Sequence, residues 1–304
     1  ALKALDVFGA KPILVSAYDL AETRRTKEMV RRLKRQRKKD SIVLLDSGNY
    51  EKFRLDDSKW RMRNFHRVLA MELHDLAFSF DDLFPTGSPR EIAAASVRAV
   101  LRDQKLTRAP VLPIAHLPRN RAGEYRVELA PELLFRISDS LQPRMIAIPE
   151  RELGASLFSR VSTIREIRQK LQELNYYQPI HVLGTGNPIT IALLTAAGAD
   201  SFDGLEWCRY VADVTTSTLH HFQHYELFQY QDELATSPIA LEAAADPKVD
   251  YAGKTVFHNL DFYTVWIAKL RAAIQNERRL VEFMTKLLSE EAMELAKSTL
   301  TGVL

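Results

Sequence analysis

The feature that most constrains this chain is an alternation. Short, nearly continuous apolar runs rich in Val, Ile and Leu recur between longer segments with helical spacing. The runs are PILVSAY (12–18), SIVLLDS (41–47), LAFSFD (76–81), APVLPIAH (109–116), MIAIPE (145–150), PIHVLGT (179–185) and DSFDGLEW (200–207). Between them the periodicity predicts helices near 21–39, 59–71, 89–104, 131–140, 157–174 and 188–197. A strand that is apolar on both faces must be covered on both, which is the condition of a parallel sheet built from βα units. With an eighth strand expected near 254–258, the pattern fits an α/β fold, a (β/α)8 TIM-type barrel with a C-terminal helical extension, better than an open sheet. No repeat, low-complexity tract or Gly/Ser linker interrupts it. Residues 1–304 therefore read as a single domain, with 211–304 supplying the last barrel elements and a helical appendage.

Composition narrows the function classes. At 46% hydrophobic and 27% charged, the 304-residue chain is too apolar for disorder, and it has neither a Gly-X-Y period nor an apolar run near the roughly 20 residues of a membrane helix. A lone Cys208 cannot form an internal disulfide, and ALKALDVFGAKP lacks the pattern of a signal peptide, so a reducing, cytoplasmic compartment is expected. Charge is unevenly placed. Residues 24–39 carry ten Lys/Arg against Glu28, a local +9 that leaves −6 for the rest of a +3 chain. Such a run is either the solvated face of a helix or a phosphate-contacting patch, with Arg31, Lys34 and Arg35 as the contact candidates.

The polar residues closing the apolar runs carry the chemistry. Asp46, Asp81, His116, Glu150 and Asp203 each end a run, so in a barrel they meet on the rim where active sites of this fold lie. Any one of them could be a helix cap. Together they supply facing carboxylates for glycosidic-bond chemistry, one to attack or steady an anomeric carbon and another to move a proton. A carboxylate also offers two acceptors to the two-donor edge of guanine.

Four segments in order, LLDSGNYE (44–51), DLAFSFDDLFPTGSPREIAAASVRAV (75–100), IHVLGTGNPITIALLTAAGADSFDGLEWCRY (180–210) and TVFHNLDFYTVWIAKLRAAI (255–274), resemble the tRNA-guanine transglycosylase family. Its members exchange a guanine in nucleic acid for a 7-deazaguanine, and some relatives act on DNA. The resemblance implies that Asp203 is the nucleophile that forms a covalent sugar intermediate and Asp46 the general acid/base. It further implies that Ser47 and Asp81 bind the base, that Tyr50 stacks on it, that Leu183 covers its other face, and that His116 stands where a Gln contacts it. Gly184, in the GTGNP turn, lets base or ribose lie near the backbone.

Departures accompany the likeness. The family's structural zinc site uses three Cys and a His; His258 matches that His, but 238–250 contains no Cys, so no metal is expected. His220, His221 and His224 read as substitute ligands or, better, as three histidines on an ordinary helix. Asn49 replaces a Gly and Glu51 a Gln, while Pro149–Glu150 stands for a Gly pair near the incoming base. The start and end of the chain also read as shorter than the family's outer regions. Arg209 either touches a target phosphate or pairs with an acid, and Trp60, Trp207 and Trp266 read as packing residues.

These features suggest a base-exchange enzyme on tRNA or DNA, with no cofactor and no membrane association, acting alone, as a homodimer or with a partner protein. A non-catalytic nucleic-acid-binding subunit is the alternative from another class, although it has no need to keep both Asp46 and Asp203. A small-molecule nucleosidase is a third, and it has no need of the basic run.

Overall fold

A computed structural model describes residues 2–22, 26–39 and 41–303. The first half of the chain comprises α1 (Leu2–Phe8), β1 (Ile13–Ser16), α2 (Ala17–Glu22), α3 (Thr26–Lys38), β2 (Val43–Asp46), α4 (Asn49–Arg54), α5 (Met62–Leu69), β3 (Leu76–Phe78), α6 (Pro89–Gln104), β4 (Val111–Leu112) and α7 (Ala130–Leu141). It continues with β5 (Ile146–Pro149), α8 (Leu157–Leu171), β6 (Ile180–Leu183), α9 (Pro188–Ala197), β7 (Ser201–Phe202), β8 (Tyr210–Asp213), β9 (Thr218–His221), α10 (Tyr225–Phe228), α11 (Pro238–Ala245), α12 (Tyr251–Ala273), α13 (Glu277–Leu287) and α14 (Glu290–Thr299). Arg24 and Arg25 of the basic run lie outside the described residues.

The helix ends follow local chemistry. Ser88 and Glu91 cap α6 reciprocally, with Pro89 at its first position. Asn187 accepts from the Ile189 and Thr190 amides to start α9, and Gly198, at φ 114°, ends it where a Cβ would meet Arg168 at 2.7 Å. Caps of this kind contribute about 1 kcal/mol each.

β1 to β4 pair in parallel, as do β5 to β7, and a single parallel bridge between Ile114 and Ala147 joins the two sets into one array in chain order. Side chains alternate. Val43, Leu45, Ile146, Ile148, Ile180 and Val182 face the helices, whereas Leu44, Phe78, Leu112, Ile114 and Ala147 form a smaller cluster on the other face. The array curls around that inner face. Phe78 of β3 and His181 of β6 have ring centroids 5.6 Å apart, where a flat sheet would separate three strand steps by about 14 Å. Sequential right-handed crossovers put every helix on one face, and curling is how the other face escapes water.

Two sequence expectations are corrected here. The eighth strand at 254–258 lies inside α12, because Asp250 caps a 23-residue helix that buries Thr255, His258, Asn259, Phe262, Trp266 and Leu270 at helical spacing. The histidines at 220, 221 and 224 do not share a helix: His220 and His221 end the antiparallel hairpin β8–β9, and His224 follows in a short turn. The described residues thus form an α/β fold with seven parallel strands, and among them no pairing joins β7 to β1. Of the expected helix at 21–39, Ala21 and Glu22 belong to α2 and Thr26–Lys38 form α3, while 23–25 lie outside the described residues.

Two apolar cores lie on the helix side. Ile13, Leu33, Val43, Trp60 and Phe65 belong to one, under α2, α3 and α5. Leu133, Ile164, Leu193, Trp266 and Met284 belong to the other, under α6 to α9 and α12 to α14. Trp60 and Trp266 are packing residues, 1% and 4% exposed.

Candidate active site

Parallel strands all end on the same side, so the connections after β2 to β7 share one rim. Asp46 is the last residue of β2 and sits on the inner face, paired in register with Ser16. Its Oδ2 accepts the Gly48 amide at 2.9 Å. Gly48 is at φ 74°, and a Cβ there would come within 2.6 Å of Tyr18, so the turn that aims Asp46 requires glycine. Burial, reinforced by the negative charges of Glu51, Asp81 and Asp203, pushes the Asp46 carboxyl up to about 8 against the pull of the Gly48 amide. Burial likewise raises Glu51.

Asp203 follows β7 and is steadied by donors. Its Oδ1 accepts the Gly184 amide at 3.1 Å and lies 3.2 Å from His181 Nε2, while His181 Nδ1 meets Ser201 Oγ at 2.8 Å. With Nε2–H donating to Asp203, Nδ1 accepts from the serine hydroxyl. Thr185 N–H donates to the Asp203 carbonyl at 2.7 Å, closing the turn after β6 onto β7. Gly184, at φ 82°, is exposed, and the space a Cβ would enter is open, leaving room beside the Asp203 carboxylate. Leu183, half-buried, precedes it.

Asp81 lies three residues past β3, in a loop gripped on both sides. Asp103 Oδ2 accepts the Phe80 amide at 2.8 Å, and Asn49 Nδ2 donates to the Asp81 carbonyl at 2.7 Å, so the residue that departs from the family's glycine ties two loops together. Ser47 is buried, its Oγ accepting the Asn49 amide. His116 joins Asp81 to Glu152: Nε2 is 2.5 Å from Asp81 Oδ2 and Nδ1 is 2.8 Å from Glu152 Oε1. Glu152, fully buried, also accepts the Leu117 amide at 2.7 Å. Burial pulls the imidazole down, but the carboxylates of Asp81 and Glu152 outweigh it and lift His116 to about 10. Asp81 Oδ2 is engaged by His116, and its buried Oδ1 has no hydrogen-bond partner among the described residues. Asp81 and His116 border a cavity of about 400 Å³ lined also by Phe80, Ile114, Ile92 and Ala95, within the size range of small-ligand sites.

The remaining candidates are placed differently. Tyr50 is exposed, with the Arg151 guanidinium 4.7 Å over its ring. Glu150 is held by Arg160 of α8. Arg209 is exposed past the turn at 206–208. Arg31, Lys34 and Arg35 are on α3, where Arg35 and Arg32 both engage the buried Asp6. Further along α3, Arg37 pairs with Asp75 at 2.9 Å, and Asp75 accepts the Val43 amide at the start of β2. The C-terminal half of the basic helix therefore sits at the strand ends opposite the rim.

Sequence reasoning missed His181, Glu152 and Glu206. Glu206 packs against Gly186 and Gly204, where any Cβ would overlap its carboxylate, and burial raises it. His181 alone carried a signal: a histidine inside an apolar strand run.

The family's zinc group does not fit these residues. His258 Nε2 meets the Ala212 carbonyl at 2.8 Å and Nδ1 meets Asp232 at 3.2 Å, so both ring nitrogens are engaged, while His220 stacks on Phe228. No helix among the described residues is long and apolar enough to cross a membrane.

No family model matches the chain. Among curated proteins it is similar to archaeal tRNA-guanine(15) transglycosylases. It is 23% identical to that of Pyrococcus furiosus over 283 residues, covering 90% of this chain and 47% of the relative. Over 253 residues it is 22% identical to that of Thermococcus onnurineus (78% and 41% covered), and over 255 residues 24% identical to that of Haloferax volcanii (78% and 46%). The chain spans less than half the length of these relatives, and at this low identity the likeness supports the tRNA-guanine transglycosylase family in broad terms.

Proposed function

We propose that the chain exchanges guanine in tRNA for a base of the 7-deazaguanine class by double displacement at Asp203 and Asp46. The observation that carries this reading is the contrast between two carboxyls on one rim: Asp46 is pushed up to about 8, whereas Asp203 is held by the Gly184 amide and His181. An Asp203 oxygen attacks C1′ of the target nucleotide, the C1′–N9 bond breaks, and its electron pair leaves on guanine, which takes the Asp46 proton. The incoming base returns a proton to Asp46 as its N9 attacks C1′ and releases Asp203, so two inversions retain configuration. Asp81 accepts the two-donor edge of the base, which is turned out of its stack into the mouth. Tyr50, Leu183, Ser47, Gly184 and His116 complete the base site, and Arg209 lies where a target phosphate passes. On this reading 1–304 is one transglycosylase-like unit on a TIM-type barrel, and the steps call on no cofactor.

The test is to incubate the protein with radiolabelled guanine and, separately, tRNA or duplex DNA. Label is expected in tRNA, and lost by about 10²–10⁴-fold in Asp46→Ala and more in Asp203→Ala. Label in DNA alone would move the reading to a DNA-modifying enzyme. No label in either polymer, with 7-deazaguanine bases also supplied, would sink the stand-alone enzyme in favour of a partner-dependent or non-catalytic subunit.

A further inference from the structure

Three consecutive rim connections present planar groups to solvent in contact with one another. Phe53, on α4 after β2, is 53% exposed, and Phe84, in the loop after β3, is 43% exposed. Their centroids are 5.1 Å apart in an edge-to-face arrangement. From the connection after β4, the Arg119 guanidinium lies 5.5 Å from the Phe84 ring and 4.5 Å from that of Tyr125, whose hydroxyl accepts from Arg119 Nη2 at 2.8 Å. A small antiparallel bridge between Arg119 and Tyr125 fixes that loop.

Exposed phenylalanines are disfavoured in water unless something covers them. Arg119 and Arg121 nearby are exposed and neither forms an ion pair among the described residues, while the exposed acids of the same loops are Asp82, which accepts the Phe84 amide, and Glu124. On α3, by contrast, Asp6, Glu28 and Asp75 engage Arg32, Arg35 and Arg37. Exposed aromatic rings beside guanidinium groups free of ion pairs are complementary to bases linked by phosphates. Phe84 is also three residues from Asp81, in the same loop, so a chain that sets a base against Asp81 passes close to these rings.

We propose that Phe53, Phe84, Arg119 and Tyr125 form a stacking platform for the unpaired RNA nucleotides that flank the target guanine. The inference rests on the reading of the site as one that takes a base from RNA. It adds a surface that neither the basic helix nor the resemblance assigns, and it selects unpaired over paired strands, because paired bases present no free faces.

The test is equilibrium binding of a fluorescent RNA hairpin with a guanine in its loop, measured in an Asp203→Ala background so that chemistry does not intervene. Phe53→Ala, Phe84→Ala and Phe84→Leu are each expected to weaken binding about tenfold, and Phe84→Trp to retain it. Arg119→Ala should weaken it and shallow the salt dependence by about one counterion. A paired RNA of the same composition should bind more weakly and respond to none of the phenylalanine changes. Phe84→Leu binding like the parent, or duplex binding as tightly as hairpin, would overturn the platform. So would a change in oligomeric size, with RNA affinity unchanged, on truncating Phe53 and Phe84. Aromatic-dependent RNA binding by a protein that exchanges no base supports the platform while sinking the proposed reaction; base exchange with unchanged affinity across the variants does the reverse.

Discussion

Asp46 and His116 carry opposite consequences for pH. The Asp46 carboxyl goes from an ordinary 3.8 up to about 8, so the fold favours its protonated form, and the associated stability is lost as pH rises through about 8. Asp46→Asn should therefore melt above the parent at pH 9 by about 0.5–2 kcal/mol, and by less at pH 5, while losing base exchange. In the parent, exchange should fall as pH rises through about 8, since the leaving guanine needs that proton. His116 is raised from 6.5 to about 10, so its contribution is complete below about 6.5 and lost as pH rises through about 10. Replacing it by Gln leaves fully buried Glu152 with only Arg151, 3.8 Å away, as a cation, and urea denaturation at neutral pH should register about 3 kcal/mol. The double variant His116→Gln with Glu152→Gln should cost less than the sum of the two singles. Asp46, Asp81 and His116 were legible because each ends an apolar run. Glu152 was not: its meaning depends on a histidine 36 positions earlier, and nothing in PERE marks it as buried.

Elements were legible where their ends carry their own chemistry. The expected helices at 89–104 and 188–197 match α6 and α9 because Ser88–Pro89 and Asn187–Pro188 announce the starts. The segment KTVFH misled because Thr, Val and Phe favour strands, whereas the periodicity that makes it helical extends to Leu270 and shows only over a longer window. Aspartates after short strands were also read as strand ends although β3 stops at Phe78 and β7 at Phe202. α12 in turn secures the segment after Asp203. Asn259, fully buried, accepts the Ala212 amide at 2.9 Å and donates to the Trp207 and Tyr210 carbonyls at 2.9 and 2.6 Å. Asn259→Leu would strand all three backbone groups. A loss of about 3 kcal/mol or more is expected in chemical denaturation, with Tyr263, whose hydroxyl donates to Gly186, drawn away from the site loop.

Across the whole molecule, charge is legible as a quantity but not as a direction. The run at 24–39 is basic, yet its last turns lie at the strand ends away from the mouth and are partly neutralised by Asp6 and Asp75. Reversing Arg31 and Lys34 to Glu should accordingly reduce RNA affinity less than reversing Arg119 and Arg121, as titrations at matched low salt would record. The one bridge between Ile114 and Ala147 has a different reach. Asp46 and Asp81 ride on the strands before that seam, Asp203 on those after it, and the His116–Glu152 pair straddles it. Side chains carry most of the joint, because the core under α6 to α9 and the inner cluster of Leu44, Phe78, Leu112, Ile114 and Ala147 both cross that seam. Hydrogen exchange should find the amides of Ala115 and Ala147, which cross the seam, less protected than those inside β2 or β6. Heat or mild denaturant that loosens these contacts should then abolish any base exchange while most of the secondary structure persists, because it moves Asp203 away from Asp46.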